Sequence, residues 1–108
     1  MAEDPGKVEL LRDALGDLRT TEKRMFGGTC FMLRGHMLCG TVRAGAIFRV
    51  GKANDAAALA LPGVRVMNFT GKEMSGFVEV GEETLAEDAT LAALIGLALD
   101  FNKSLPPK

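Results

Sequence analysis

Tryptophan and tyrosine are absent from this 108-residue sequence, so aromatic packing rests on six phenylalanines, with six methionines as soft filling. Two cysteines are too few for a disulfide scaffold and fit a reducing compartment. A single histidine and two serines, Ser75 and Ser104, leave little material for acid–base or nucleophilic catalysis. Neither serine sits in a nucleophile-elbow pattern. Long hydrophobic runs are missing too. The longest, Leu91 to Leu99, is interrupted by Gly96 and is too short to span a bilayer. The N-terminal MAEDPGKVELLRD is acidic and broken, with no apolar signal-peptide core. Excess charge is lacking as well: the net value of −1 argues against strong nucleic-acid or membrane-surface binding by bulk electrostatics. These absences predict a cytoplasmic protein of one domain, without a membrane segment.

What is present reads as an α+β chain. Asp4-Pro5 has the form of an N-cap followed by proline at the first helical position. Val8, Leu11, Leu15 and Leu18 then fall on one helical face, predicting a helix over Pro5 to Leu18. The period changes after that. Thr21–Met25, Thr29–Leu33, Met37–Val42 and Ala46–Val50 are short β-compatible runs joined by glycine-bearing turns, and such short connections force antiparallel neighbours. A short alanine-rich helix is expected from Lys52 to Leu61, ended by Pro62-Gly63. Val64–Phe69 and Gly76–Val80 form a second strand pair around Thr70-Gly71-Lys72. A last helix runs from about Asp88 to Asn102. The expected architecture is an antiparallel sheet of five to six strands with helices packed against it, in the order helix, strand block, helix, two strands, helix.

Charge is unevenly distributed along this frame. Seven basic residues between Arg19 and Lys52 face only Glu22, whereas Glu73 to Asp100 holds seven acids and no Lys or Arg. Either the basic stretch offers a surface to an acidic partner, or the two regions meet across the fold or are simply solvated. The acids from Glu82 to Asp88 suit a helix start.

The candidate sites are few. Gly27-Gly28 does not complete G-x-G-x-x-G, and Gly71-Lys72 is followed by Glu73 rather than Ser or Thr, so neither is a phosphate loop. A strand, not a helix, follows Gly28, which removes the dipole a phosphate site uses. The glycines fit a strand corner with positive φ or close approach. If Arg34-Gly35 is a two-residue hairpin loop, Leu33 lies opposite His36, and counting back sets Cys30 opposite Cys39 in the closer kind of cross-strand pair. Three readings follow: buried free thiols, a redox-sensitive pair, or, with His36, part of a metal site that lacks a fourth ligand. The first is favoured. No cofactor or metal site is expected, and no catalytic residue.

The final helix carries Leu91, Leu94, Ile95, Leu97, Ala98 and Leu99 with almost no polar face. Two readings fit. In one the true stripe is Leu91, Leu94, Ile95 and Ala98. In the other Leu97 and its neighbours bury against a second subunit, making a homodimer through this helix.

The order RMFGG (Arg24, Met25, Phe26, Gly27, Gly28), CFMLRGHMLCGTV, IFRV and VMNFTGKEMSGFVEV, the last containing Gly71, Lys72 and Gly76, resembles the N-terminal domain of the TfoX/Sxy competence regulators over about residues 19–102. The resemblance implies an antiparallel α+β domain from bacteria without established catalytic residues, in which these signature residues are structural. Full-length relatives act with a cyclic-AMP-responsive transcription factor and carry a second, helical domain, which is not expected in this chain; a competence role is therefore not carried over. The expected function is a non-catalytic regulatory module acting through a protein partner, such as a transcription factor. A small-ligand binder or an enzyme with a site assembled only in three dimensions is the alternative, favoured by a deep apolar pocket lined by Arg24, Arg49 or His36, whereas a flat sheet face with no pocket favours the interaction module.

Overall fold

The computed structural model describes residues 5–16, 18–25, 28–43, 45–69 and 71–106, excepting the side chains of Pro5, Met25, Phe69, Lys72, Glu73 and Met74. Helix α1, Pro5–Leu15, lays Val8, Leu11 and Leu15 into the core. It stops three residues before the expected Leu18. Gly16 turns left-handed (φ +58) and its N–H donates to the Arg12 carbonyl at 3.1 Å, closing the helix. Leu18 packs on the same core from beyond the cap. The expected N-cap, Asp4, lies outside the described residues.

Four strands follow as an antiparallel meander: β1 (Thr21–Met25), β2 (Gly28–Leu33), β3 (His36–Val42) and β4 (Gly45–Arg49). A 3-10 turn, Lys52–Asn54, leads into α2, Asp55–Leu59, where one continuous helix to Leu61 was expected. Strand β5 (Val64–Phe69) and strand β6 (Lys72–Gly81) complete a six-stranded sheet in the order β1-β2-β3-β4-β6-β5. Helix α3, Glu82–Leu85, was not anticipated as an element, although its acidic first turn was. Helix α4, Asp88–Ser104, crosses β3 and β4.

The helices contribute to the core on one face of the sheet. Leu91, Leu94, Ile95 and Ala98 of α4, at helical spacing, pack against Phe31, Leu38 and Phe48. Each large side chain so buried stabilises the fold by ~1.5–3 kcal/mol. Leu97 and Leu99 are half-buried on the same core rather than left in water, and Leu59 is the one large hydrophobic among the described residues that counts as exposed, at 36%. Cys30, Met37, Ile47 and Met67 form a second cluster on the other face, which contains no helical residue. Lys7 of α1 is buried and donates to the carbonyls of Val42 and Arg43 at 2.7 and 3.0 Å, holding the end of β3 to the helix layer.

The β2–β3 hairpin turns at Arg34 (φ 57) and Gly35 (φ 84), the two positive values of a type I′ loop, and Leu33 lies opposite His36. The cysteine register expected from that turn is corrected by a bulge. Beyond Met32↔Met37 the pairing shifts to Phe31↔Cys39 and Cys30↔Gly40, leaving Leu38 as the extra residue. Leu38 and Cys39 both point to the helical face, whereas Cys30 points to the other. The two thiols therefore do not face each other.

Candidate functional site

The structure separates the two halves of the glycine-rich signature. Arg24, Met25 and Gly28 lie where β1 meets β2; Gly71, Lys72 and Gly76 lie on the β5–β6 hairpin, with β2, β3 and β4 between β1 and β6. Phe26 and Gly27 lie outside the described residues. Gly28 is needed because a Cβ there would stand 2.1 Å from the Thr41 carbonyl oxygen. The next residue continues the same contact: the Thr29 N–H donates to Thr41 Oγ1 at 2.9 Å.

Gly76 answers to a different demand. The β5–β6 register jumps from Val66↔Val78 to Met67↔Met74, so residues 75–77 bulge out of the ladder. At φ +85 the Gly76 N–H donates to both carboxylate oxygens of Asp55, each at 3.1 Å, and its carbonyl accepts from the N–H groups of Val50 and Gly51 at 2.9 and 3.0 Å. Beside this junction the Arg49 guanidinium lies 5.6 Å from the Phe77 ring centre and 5.2 Å from that of Phe101. The end of β4, the start of α2, the β6 bulge and the end of α4 are thus joined. Reading the chain missed Asp55 and Arg49 in this role, because their partners are distant in sequence.

His36 is buried, and its Nε2–H donates to the Pro106 carbonyl at 2.7 Å. Arg34 donates to the carbonyls of Asn102 and Leu105 at 3.2 and 3.1 Å, and the Asn102 amide donates to Leu33 O at 3.0 Å. This set fastens the hairpin tip to the end of α4. Cys30 and Cys39 are fully buried. Burial pushes both thiols up, Cys39 most strongly, with a smaller contribution from Cys30 nearby. At neutral pH they are protonated and poor nucleophiles. Among the described residues no group of three or more His, Cys, Asp or Glu could hold a metal.

An open groove of about 460 Å³ lies between α1 and β1, lined by Val8, Glu9, Arg12, Glu22, Lys23, Arg24 and Thr29. Arg12 is on the α1 side of the groove. Its Nε and a terminal nitrogen donate to the two carboxylate oxygens of Glu22 at 2.7 and 2.8 Å, and it also pairs with Glu9. Hydrogen bonding to Arg12 holds the Glu22 carboxyl below the usual carboxylate value, and the same bonds hold the guanidinium charged. Lys23 and Arg24 are exposed at the mouth and have no acidic partner among the described residues. Among those residues no ion pair joins the basic segment Arg19–Lys52 to the acidic segment Glu73–Asp100. Nothing in the groove is a nucleophile poised by a base. What it offers is free positive charge beside the first strand of the sheet, which among the described residues has β2 on one side and no strand on the other.

A single antiparallel sheet carrying its helices on one face, closed by glycine-dependent junctions at both ends of the signature, defines a compact α+β domain. The model of the TfoX N-terminal domain matches residues 9–102, and the chain belongs to that family. Comparison with curated proteins and with solved structures returned no match. No helix among the described residues is long and apolar enough to cross a membrane.

Proposed function

We propose that this domain is a non-catalytic interaction module that works through a protein partner, received as an extended acidic segment along β1. The observation that supports this reading is the unmatched charge of Lys23 and Arg24 on an edge strand whose neighbouring arginine, Arg12, is already neutralised. Lysine and arginine on an edge keep it from pairing with its own kind. An acidic strand cancels that repulsion while adding main-chain hydrogen bonds, which is the mode of strand addition. The regulators that the family is known for make a transcription factor the natural class of partner.

The test is an NMR titration of the full chain with a short peptide alternating glutamate and valine, set against a lysine–valine peptide of equal length. Amide shifts confined to residues 21–25 and the facing part of α1, lost in Lys23→Glu/Arg24→Glu, are the expected result. Perturbations elsewhere, or equal response to both peptides, would refute it. Tighter binding of a nucleotide or other small anion in the same groove would favour a small-ligand protein instead.

A further inference from the structure

One flank of α4 continues past the residues that pack into the core, with Ala92 and Gly96 exposed. Beside the buried stripe, and sharing Leu91 and Ile95 with it, α4 and α1 enclose a shallow groove of about 370 Å³ that Ala14, Ala92, Gly96 and Leu99 also line, with Asp88 at one end. Gly96 is exposed, and a Cβ added to it would meet nothing within 4 Å. Glycine is a poor residue for the middle of a 17-residue helix, and nothing among the described residues requires it there.

Charge on the same face is ordered. Asp88 lies seven residues before Ile95, and Lys103 lies seven after Gly96. With 3.6 residues per turn, Asp88, Ala92, Gly96, Leu99 and Lys103 fall on one stripe. Asp88 and Lys103 are both exposed and neither is ion-paired within the described residues.

We infer that the occupant of this groove is a second copy of the chain, with the two α4 helices antiparallel about a two-fold axis near Gly96. That arrangement sets Asp88 against Lys103 of the partner subunit and Lys103 against Asp88 of the partner subunit. Ala92 meets the partner subunit's Leu99, and the helices approach most closely at the glycines, at about 8 Å between axes. A parallel arrangement would place like charges together, so the charge order selects the antiparallel one. One isologous patch serves both copies. The contact is distinct from β1 and does not depend on the reading of that edge. A helix pair of this length buries on the order of 1,000 Å² in total, at the low end for specific interfaces, which makes the dimer a weak one.

Sedimentation equilibrium on the full chain tests this at tens to hundreds of micromolar, with circular dichroism to show that each variant is folded. The wild-type mass should rise with concentration from 11.5 kDa toward twice that value. Asp88→Lys alone and Lys103→Asp alone should each weaken association at least tenfold, and the double exchange should restore it. Gly96→Leu, which favours the helix but fills the axis, should be monomeric with unchanged or raised thermal stability. A wild type that stays monomeric throughout overturns the inference. So does a double exchange that folds without restoring association, or a Gly96→Leu variant that still dimerises.

Discussion

Replacing Gly76 with alanine should destabilise the domain by about 2 kcal/mol, while the same change at Gly71 should cost only about 1 kcal/mol. Both glycines hold nearly the same left-handed backbone, φ +85 and +82. An alanine in that conformation is strained by ~1–2 kcal/mol, and the stiffer unfolded chain returns ~0.4–1 kcal/mol of it. The surroundings make the difference. A Cβ at Gly76 would press on the backbone of Lys52 and Gly51 at 3.3 and 3.4 Å, whereas one at Gly71 meets nothing within 4 Å. Relief by turning the Gly76 peptide is closed, because it would break both bonds to Asp55, and hydrogen bonds to a charged group contribute ~1.5–3 kcal/mol. Urea unfolding at constant m-value measures the two variants side by side. At ~4–8 °C per kcal/mol for a domain of this size, Gly76→Ala should also lower the melting temperature by roughly 8–16 °C. Equal losses at the two glycines would refute the claim that Gly76 is held by the Asp55 junction.

Gly28→Ala should be far more damaging, at least 3 kcal/mol or failure to fold, since the added carbon stands 2.1 Å from the Thr41 oxygen; a well-dispersed NMR spectrum with a wild-type melting point would contradict this. Because burial raises the Cys39 thiol above its ordinary value of 9.0, the stability tied to its protonated form is intact below about pH 9 and falls as pH rises toward the folded-state value. The urea-midpoint advantage of wild type over Cys39→Ala should therefore shrink between pH 7 and about pH 10, and an advantage that holds or grows would count against it. His36→Ala should lower stability by about 1 kcal/mol and speed amide exchange of residues 102–105, and unchanged exchange there would show that the Pro106 contact fastens nothing.

The elements were legible where the signal was local. Arg34-Gly35 between two apolar runs specified the hairpin and the Leu33↔His36 pair. The stripe of Leu91, Leu94, Ile95 and Ala98 specified the buried side of α4. The cysteine register was not legible, because nothing around Leu38 marks a bulge: its extra residue is accommodated by Phe31 and the helix layer, which are remote in sequence. For the same reason the sequence could offer Gly76 as part of a motif but not Asp55 as its partner. Helix α3 escaped notice because four residues are too few for a periodic pattern. Of the candidate site, Arg24 was singled out with the signature, but the α1 wall of the groove, with Arg12 locked on Glu22, exists only after folding.

Strand order carries a consequence for how the chain assembles. The strands β1 to β4 are neighbours in sequence as well as in space, and β5 and β6 form a hairpin of their own. The seam between them, β4 against β6, joins Gly45 to Gly81 and Phe48 to Val78, the longest loop closure within the sheet. Local pairs form early and cheaply in entropy, and a distant pairing must wait until both sides exist. Until that seam closes, each half presents a raw strand edge, with Phe48 on one side and Val78 on the other. Those two edges cover each other, so the step that unites the halves also removes both as places where nascent chains could join one another.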